Sequence, residues 1–145
     1  MNDFELHPRL AADTVNVGHL RLCRLLMMDD ANYPWFILVP QRPGLVELHE
    51  LDDDDLACFV RESAELSRAL LRAFDGGKMN VAALGNVVPQ LHVHHVVRFA
   101  TDAAWPAPIW GRVPVAPMGE AEQARRVDAL RAAAPPDLVL DARWA

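Results

Sequence analysis

Residues 87–99 read Val-Val-Pro-Gln-Leu-His-Val-His-His-Val-Val-Arg-Phe, and the organisation of the chain turns on this stretch. Three of the six histidines stand within four positions, in an apolar run bounded by Pro89 and by the polar turn after Phe99. β-Branched residues dominate and no helical period fits, so a buried strand is predicted. Side chains alternate across a strand. Gln90, His92, His94, Val96 and Arg98 are therefore expected on one face, and Leu91, Val93, His95 and Val97 on the other. Imidazoles at i and i+2 stand about 6.6 Å apart at their backbones, which lets both rings converge on one tetrahedral anion or one metal ion. Leaving two such rings buried without partners would cost on the order of a few kcal/mol each. The pattern points to a functional cluster, either a phosphate-transfer site or a metal site.

The neighbouring segments supply a fold for that strand. Lys78 to Leu84 reads as another core strand, and Gly85-Asn86 is expected to turn it into the histidine strand as a hairpin. Before it, Leu56, Phe59, Val60, Ser63, Leu66, Ser67, Leu70, Leu71 and Phe74 recur at i, i+3, i+4, i+7 spacing, which predicts an amphipathic helix over Asp52 to Phe74. Its acidic N-terminus, Asp52 to Asp55, suits the helix dipole, and Gly76-Gly77 is a ready stop. Leu20 to Met28 and Trp35 to Pro40 read as two strands of a hairpin, joined by the turn-rich Asp29-Asp30-Ala31-Asn32-Tyr33-Pro34. Phe4 to Ala12 suits a short helix and Thr14 to Val17 a brief extended piece. After Phe99 the chain is proline-rich up to Pro117, and Gly119 to Ala134 carries a modest helical pattern that ends at Pro135-Pro136. The order strand-strand-helix-strand-strand predicts an α+β domain: an antiparallel sheet of about five strands, covered on one face by the helix, with a C-terminal helix added. Residues 1–145 are read as one domain, with a core over about 14–100 and an extension over 101–145.

Composition narrows the class. Hydrophobic residues at 52% and charged residues at 23% are ordinary for a soluble globular protein. A net charge of −6 and no basic stripe argue against nucleic-acid polymers, while leaving a small phosphate ligand open. Cys23 and Cys58 show no metal spacing and no disulfide framework, which fits a reducing, cytoplasmic setting. No signal core and no apolar run of 18 residues are present, so neither export nor a membrane is expected.

The segment Gln90-Leu91-His92-Val93-His94-His95-Val96 resembles the signature of the histidine triad (HIT) family of nucleotide hydrolases and transferases, His-φ-His-φ-His-φ-φ with φ apolar. The resemblance spans about Arg21 to Phe99 and includes the order of elements. It implies a HIT-like fold and commonly a homodimer. It places the nucleophile on His92, the phosphate and leaving-group contact on His94, and a supporting hydrogen-bond residue on Gln90, where the family has its first histidine. Asp30 falls near the residue that holds the ribose hydroxyls, with Asp29 as the alternative for that role. Asn80 matches a polar position facing the nucleotide, and Asn86 and Val87 stand where the family commonly has a phosphate-binding glutamine and a serine. His95 occupies an apolar position of the signature and is expected on the far face, as a core or interface histidine with one backbone partner.

What these residues would do follows from imidazole chemistry. The nucleophile must be neutral, as an ordinary imidazole with a pKa near 6.5 mostly is above pH 7. One nitrogen of His92 attacks phosphorus, and the other needs an acceptor such as a backbone carbonyl. His94, drawn toward its charged form by the phosphate, is expected to donate to a non-bridging or leaving oxygen. A nucleotidyl-histidine would follow, on a nucleoside phosphoramidate or a dinucleoside polyphosphate, and water would hydrolyse it. No metal or cofactor is called for, although the substrate can bring Mg²⁺. Trp105, Trp110 and Trp144 are candidates to stack a base. Two other readings remain: a nucleotide-binding module without catalysis, supported by Gln90, and a metal site on His92 and His94. His7, His19 and His49 are scattered and offer the metal no second cluster.

Overall fold

In the computed structural model, which describes residues 3–145, the chain builds one six-stranded sheet. Helix α1 (Pro8–Asp13) leads into β1 (Thr14–His19), β2 (Cys23–Met28) and β3 (Trp35–Pro40). Helix α2 (Asp53–Phe74), β4 (Lys78–Ala82), β5 (Val93–Arg98), α3 (Glu120–Ala133) and β6 (Val139–Leu140) follow. The strand order is β4-β5-β3-β2-β1-β6, and every neighbouring pair is antiparallel. The expected α+β architecture and both expected hairpins are present; the two-residue β6 makes the sixth strand. Gly18 allows that addition, because a Cβ there would run into the Val139 carbonyl.

Both faces of the sheet are covered, not one. On the first face Leu25, Met27, Phe36, Leu38, Val93 and Val97 pack with Phe59, Leu66 and Leu70 of α2 and with Val127 and Leu130 of α3. On the second, Leu26, Ile37, Val39 and Val96 pack under Leu10 of α1, Val88, Ala104 and Ile109. All six residues of β3 are buried, which is why that strand is a continuous apolar run and does not alternate. Each fully buried Leu, Val or Phe contributes about 1.5–3 kcal/mol, so the two clusters together hold the sheet in place. Among the described residues, no helix is long and apolar enough to cross a membrane.

Helix α2 starts where the sequence places it. The Asp52 side chain accepts the Asp55 N–H at 2.8 Å, and three more aspartates sit in the first turn. It ends at Phe74, as the sequence predicts. Asp75, at φ 50°, adopts the left-handed conformation, and Gly76 is needed because a Cβ there would strike Val97. The apolar stripe differs at two positions. Val60 is 57% exposed, while Glu62 is buried and its carboxylate accepts the Leu22 and Cys23 N–H groups at 2.9 and 3.1 Å.

The largest departure lies before β5. Strand pairing runs from Lys78↔Arg98 to Ala82↔His94 and stops, so residues 83–92 form a loop where a tight turn and a longer strand are expected. Pro89 lacks the N–H that a ladder needs. Val88 and Leu91 are instead buried in opposite clusters, and Leu91 N–H is tied to the Leu45 carbonyl at 2.9 Å. This loop brings His92 up beside β5.

Candidate active site

Strand β5 lies between β3 and β4, and His94 on it pairs with Ile37 on one side and Ala82 on the other. Alternation then aims His94, Val96 and Arg98 at the second face and His95 at α2, as the sequence predicts. His92, one residue before the strand, closes on His94 with ring centroids 5.0 Å apart and planes at 74°. Both are buried, at 7% and 5% exposure. They form part of the wall of a cavity of about 370 Å³, within the ~300–1,000 Å³ range of small-molecule sites.

Hydrogen bonds fix the tautomer of each neutral ring. His92 Nδ1 lies 2.7 Å from the Gln90 carbonyl, which can only accept, so the proton sits on Nδ1 and Nε2 carries a free lone pair. His94 Nδ1 accepts from the Trp35 indole N–H at 3.0 Å, which places its own proton on Nε2. Burial pushes the His94 pKa down to about 3, helped by the neighbouring His92 and His95. The expected charged His94 is thus opposed by geometry: a proton on Nδ1 would face the indole N–H. His95 donates from Nδ1 to the Val93 carbonyl at 3.0 Å and accepts the Ser63 hydroxyl at 2.7 Å, and burial lowers its pKa to about 4.

These two neutral histidines set an acid limit on stability. The unfolded chain takes up their protons near pH 6.5, while the fold resists until about 3 and 4. Their contribution is whole above pH 6.5 and is lost as the pH falls through the window below it, because there the unfolded state binds more protons. Lowering the pH from 7 to 5 is expected to remove about 4 kcal/mol of unfolding free energy. Urea denaturation at both values measures it, and His95→Gln should reduce the pH-dependent loss by about half.

The remaining predicted residues divide. Asn86 and Val87 line the cavity with Gly85, whose φ of 72° requires glycine, and Val87 is 70% exposed. Gln90 does not offer its side chain to His92. Its Oε1 accepts the His7 N–H and its Nε2 donates to the Glu5 carbonyl, both at 2.8 Å, tying down the segment before α1. Asp30 is 3% exposed and outside the cavity wall; Oδ1 accepts from the Asn32 backbone and side chain and, at 3.4 Å, from Ala116 N–H. Arg126 of α3 binds the same turn through the carbonyls of Asp30, Ala31 and Tyr33. Asp29 accepts the Met118 N–H. Asn80 accepts from Arg98 at 2.8 Å and also lies outside the cavity wall.

Several wall residues escape sequence reasoning. Arg9, Leu10 and Asp13 come from α1, and Trp35 closes on His94 beside Trp110, which the sequence does single out. Arg9 and Asp13 form an ion pair at 3.6 Å with both side chains over half exposed. Of the three tryptophans marked as base-stacking candidates, only Trp110 lines the cavity; Trp105 covers Arg98 and Trp144 bonds the Asn16 carbonyl. One signal was legible for Trp35: a buried indole N–H needs an acceptor. Among the described residues, no group of three or more His, Cys, Asp or Glu is placed to hold a metal ion.

Comparison with known proteins agrees with this geometry. The HIT domain family profile matches residues 9–101. A histidine triad protein from Marinobacter aquaeolei is 47% identical, covers 94% of this chain and 98% of its own, and superposes with a TM-score of 0.89. One from Bradyrhizobium japonicum is 45% identical over 89% and 96% of the two chains, with a TM-score of 0.87. Another from Sinorhizobium meliloti is 38% identical over 91% and 98%, with a TM-score of 0.88. No curated protein matches the chain. With a family profile over most of its length and these neighbours over nearly all of it, the chain belongs to the histidine triad (HIT) domain family of nucleotide-binding proteins, hydrolases and transferases.

Proposed function

We propose that this protein hydrolyses or transfers nucleotidyl groups, acting on the α-phosphate of a nucleoside phosphoramidate or dinucleoside polyphosphate through a nucleotidyl-histidine on His92. The observation that carries the reading is the 2.7 Å contact from His92 Nδ1 to the Gln90 carbonyl. It leaves Nε2 as a free nucleophile, in a buried pair with His94, on the wall of a cavity of suitable size. In this reading Gln90 stands at the family's first histidine position. What His92 needs from that position is a main-chain carbonyl, which glutamine supplies as well as histidine does.

The reaction has two displacements. His92 Nε2 bonds to the α-phosphorus as the bond to the leaving group breaks, and water then attacks the same phosphorus and releases the mononucleotide. His94 Nε2–H donates to an oxygen of the reacting phosphate. Backbone N–H groups of the loop at Gly85 to Val87, with the Asn86 side chain, supply further donors, since positioning and charge stabilisation carry most of phosphoryl transfer. The chain needs no cofactor of its own in this scheme, and Mg²⁺ can arrive with the substrate phosphates.

Mixing the protein with a panel of adenosine and guanosine substrates and quenching in base is expected to leave one nucleotidyl group on His92, seen by peptide mass spectrometry. Tight mononucleotide binding with neither adduct nor turnover would instead identify a binding module.

A further inference from the structure

Trp35 opens β3, pairs with Val96 of β5 and is held at 7% exposure among Ile37, Val39, Val96 and Trp110. Its indole has one polar group, an N–H that can donate and never accept. That N–H lies 3.0 Å from His94 Nδ1. The edge of Trp110 closes a second side of the His94 ring, with centroids 5.1 Å apart. The ring is therefore fixed in one tautomer, with its only proton on Nε2.

We propose that Trp35 locks His94 as a hydrogen-bond donor that has no proton to give away, and so restricts the site to substrates whose leaving group departs as a stable oxyanion, a phosphate or polyphosphate, in preference to an amine. The proposal rests on His92 being the nucleophile and deepens that reading by choosing between the two leaving groups it allows.

Electron bookkeeping makes the distinction. When His92 Nε2 bonds to the α-phosphorus of a polyphosphate, the P–O bond to the next phosphate breaks and its electron pair leaves on oxygen. That oxygen carries the pair as an anion near neutral pH and needs only the His94 N–H. Breaking a P–N bond puts the pair on nitrogen, which must gain a proton as it departs. Neutral His94 cannot supply one, because loss of its Nε2–H would leave an imidazolate. To act as an acid it must first be protonated on Nδ1, setting that N–H against the Trp35 N–H. Burial and the nearby His92 and His95 oppose the same step. The other charged groups on the cavity wall, Arg9 and Asp13, are paired with each other.

Two measurements test it. In ¹⁵N-histidine-labelled protein, His94 is expected to show a protonated Nε2 and a bare Nδ1 throughout about pH 5 to 8; a proton on Nδ1 overturns the lock. A dinucleoside polyphosphate is expected to turn over at least ~100-fold faster than an adenosine phosphoramidate with an alkylamine leaving group, the usual scale of a missing general acid. Equal rates, or faster release of the amine, overturn the preference. Trp35→Phe keeps an aromatic ring but loses the N–H. It should narrow the ratio by about tenfold or more and allow His94 to titrate; an unchanged ratio with an untitrated ring counts against the proposal. If that variant does not fold, the wild-type nitrogen shifts and rate ratio decide alone. Should the wild type cleave neither substrate and form no adduct on His92, the functional reading falls, and the nitrogen shifts still decide whether the lock exists.

Discussion

His92→Gly is expected to lower turnover by roughly 10⁴–10⁶-fold while leaving nucleotide binding within about tenfold, the pattern of a lost nucleophile. The argument rests on which atom is free. Nδ1 of His92 donates to the Gln90 carbonyl, and Nδ1 of His94 accepts from Trp35, so Nε2 of His92 is the one ring nitrogen of the pair whose lone pair is uncommitted. Glycine removes that atom and leaves a hole of imidazole size beside a carbonyl acceptor. Added imidazole should therefore restore part of the rate, and a substituted imidazole too large for the hole should not. Circular dichroism and mononucleotide affinity separate this from unfolding. Turnover within tenfold of wild type would exclude His92 as the attacking group.

How far the sequence carries this site depends on the range of each interaction. Helix α2 is legible because its signals are local: a 3.6-residue stripe, an Asp52 cap and a stop near Gly76. The faces of β5 are legible for the same reason, since period two requires only the strand. The limits of that strand are not. Val87 to Val93 is as apolar as a strand, but Val88 and Leu91 are pulled into different cores, and nothing adjacent in sequence announces it. Cover on the second face of the sheet has a local sign, the unbroken apolar run Trp35–Pro40, which a one-sided sheet would not produce. The setting of Asp30 has a longer-range cause. Its turn is closed by Ala116 and Arg126, 86 and 96 residues away, and a single sequence holds no record of such pairs. The same holds for the Trp35 bond to His94 across 59 positions, the contact that sets the tautomer of the ring.

Asp102→Ala is expected to lower the unfolding free energy by about 3–5 kcal/mol, because it strands a buried cation. Arg98 is 1% exposed and lies on the same sheet face as His94. Its guanidinium meets Asp102 in two bonds of 2.8 and 3.0 Å, bonds Asn80 at 2.8 Å, and lies over the rings of Trp105 and Tyr33 at 5.5 and 5.9 Å. Asp102 in turn accepts the N–H groups of Phe99, Ala104 and Trp105. Burial alone would raise its pKa, yet the Arg98 bonds and these backbone donors hold it down at about 2. The pair thus also shapes the turn after β5, from which the chain runs on to Trp110 at the cavity. Activity should fall along with stability, through the Trp110 wall. Arg42–Asp55 supplies the control: its bonds are equally short at 2.8 and 3.0 Å, but the arginine side chain is 45% exposed. Arg42→Ala is expected to cost no more than about 1 kcal/mol, since water screens the pair and replaces its bonds. A urea titration of both variants measures the contrast. Replacing both buried partners, as Arg98→Met with Asp102→Leu, should recover much of the loss from Asp102→Ala, because no lone charge then remains inside. If the double variant were as unstable as the single one, the backbone bonds of Asp102, and not its pairing with Arg98, would be what the fold depends on.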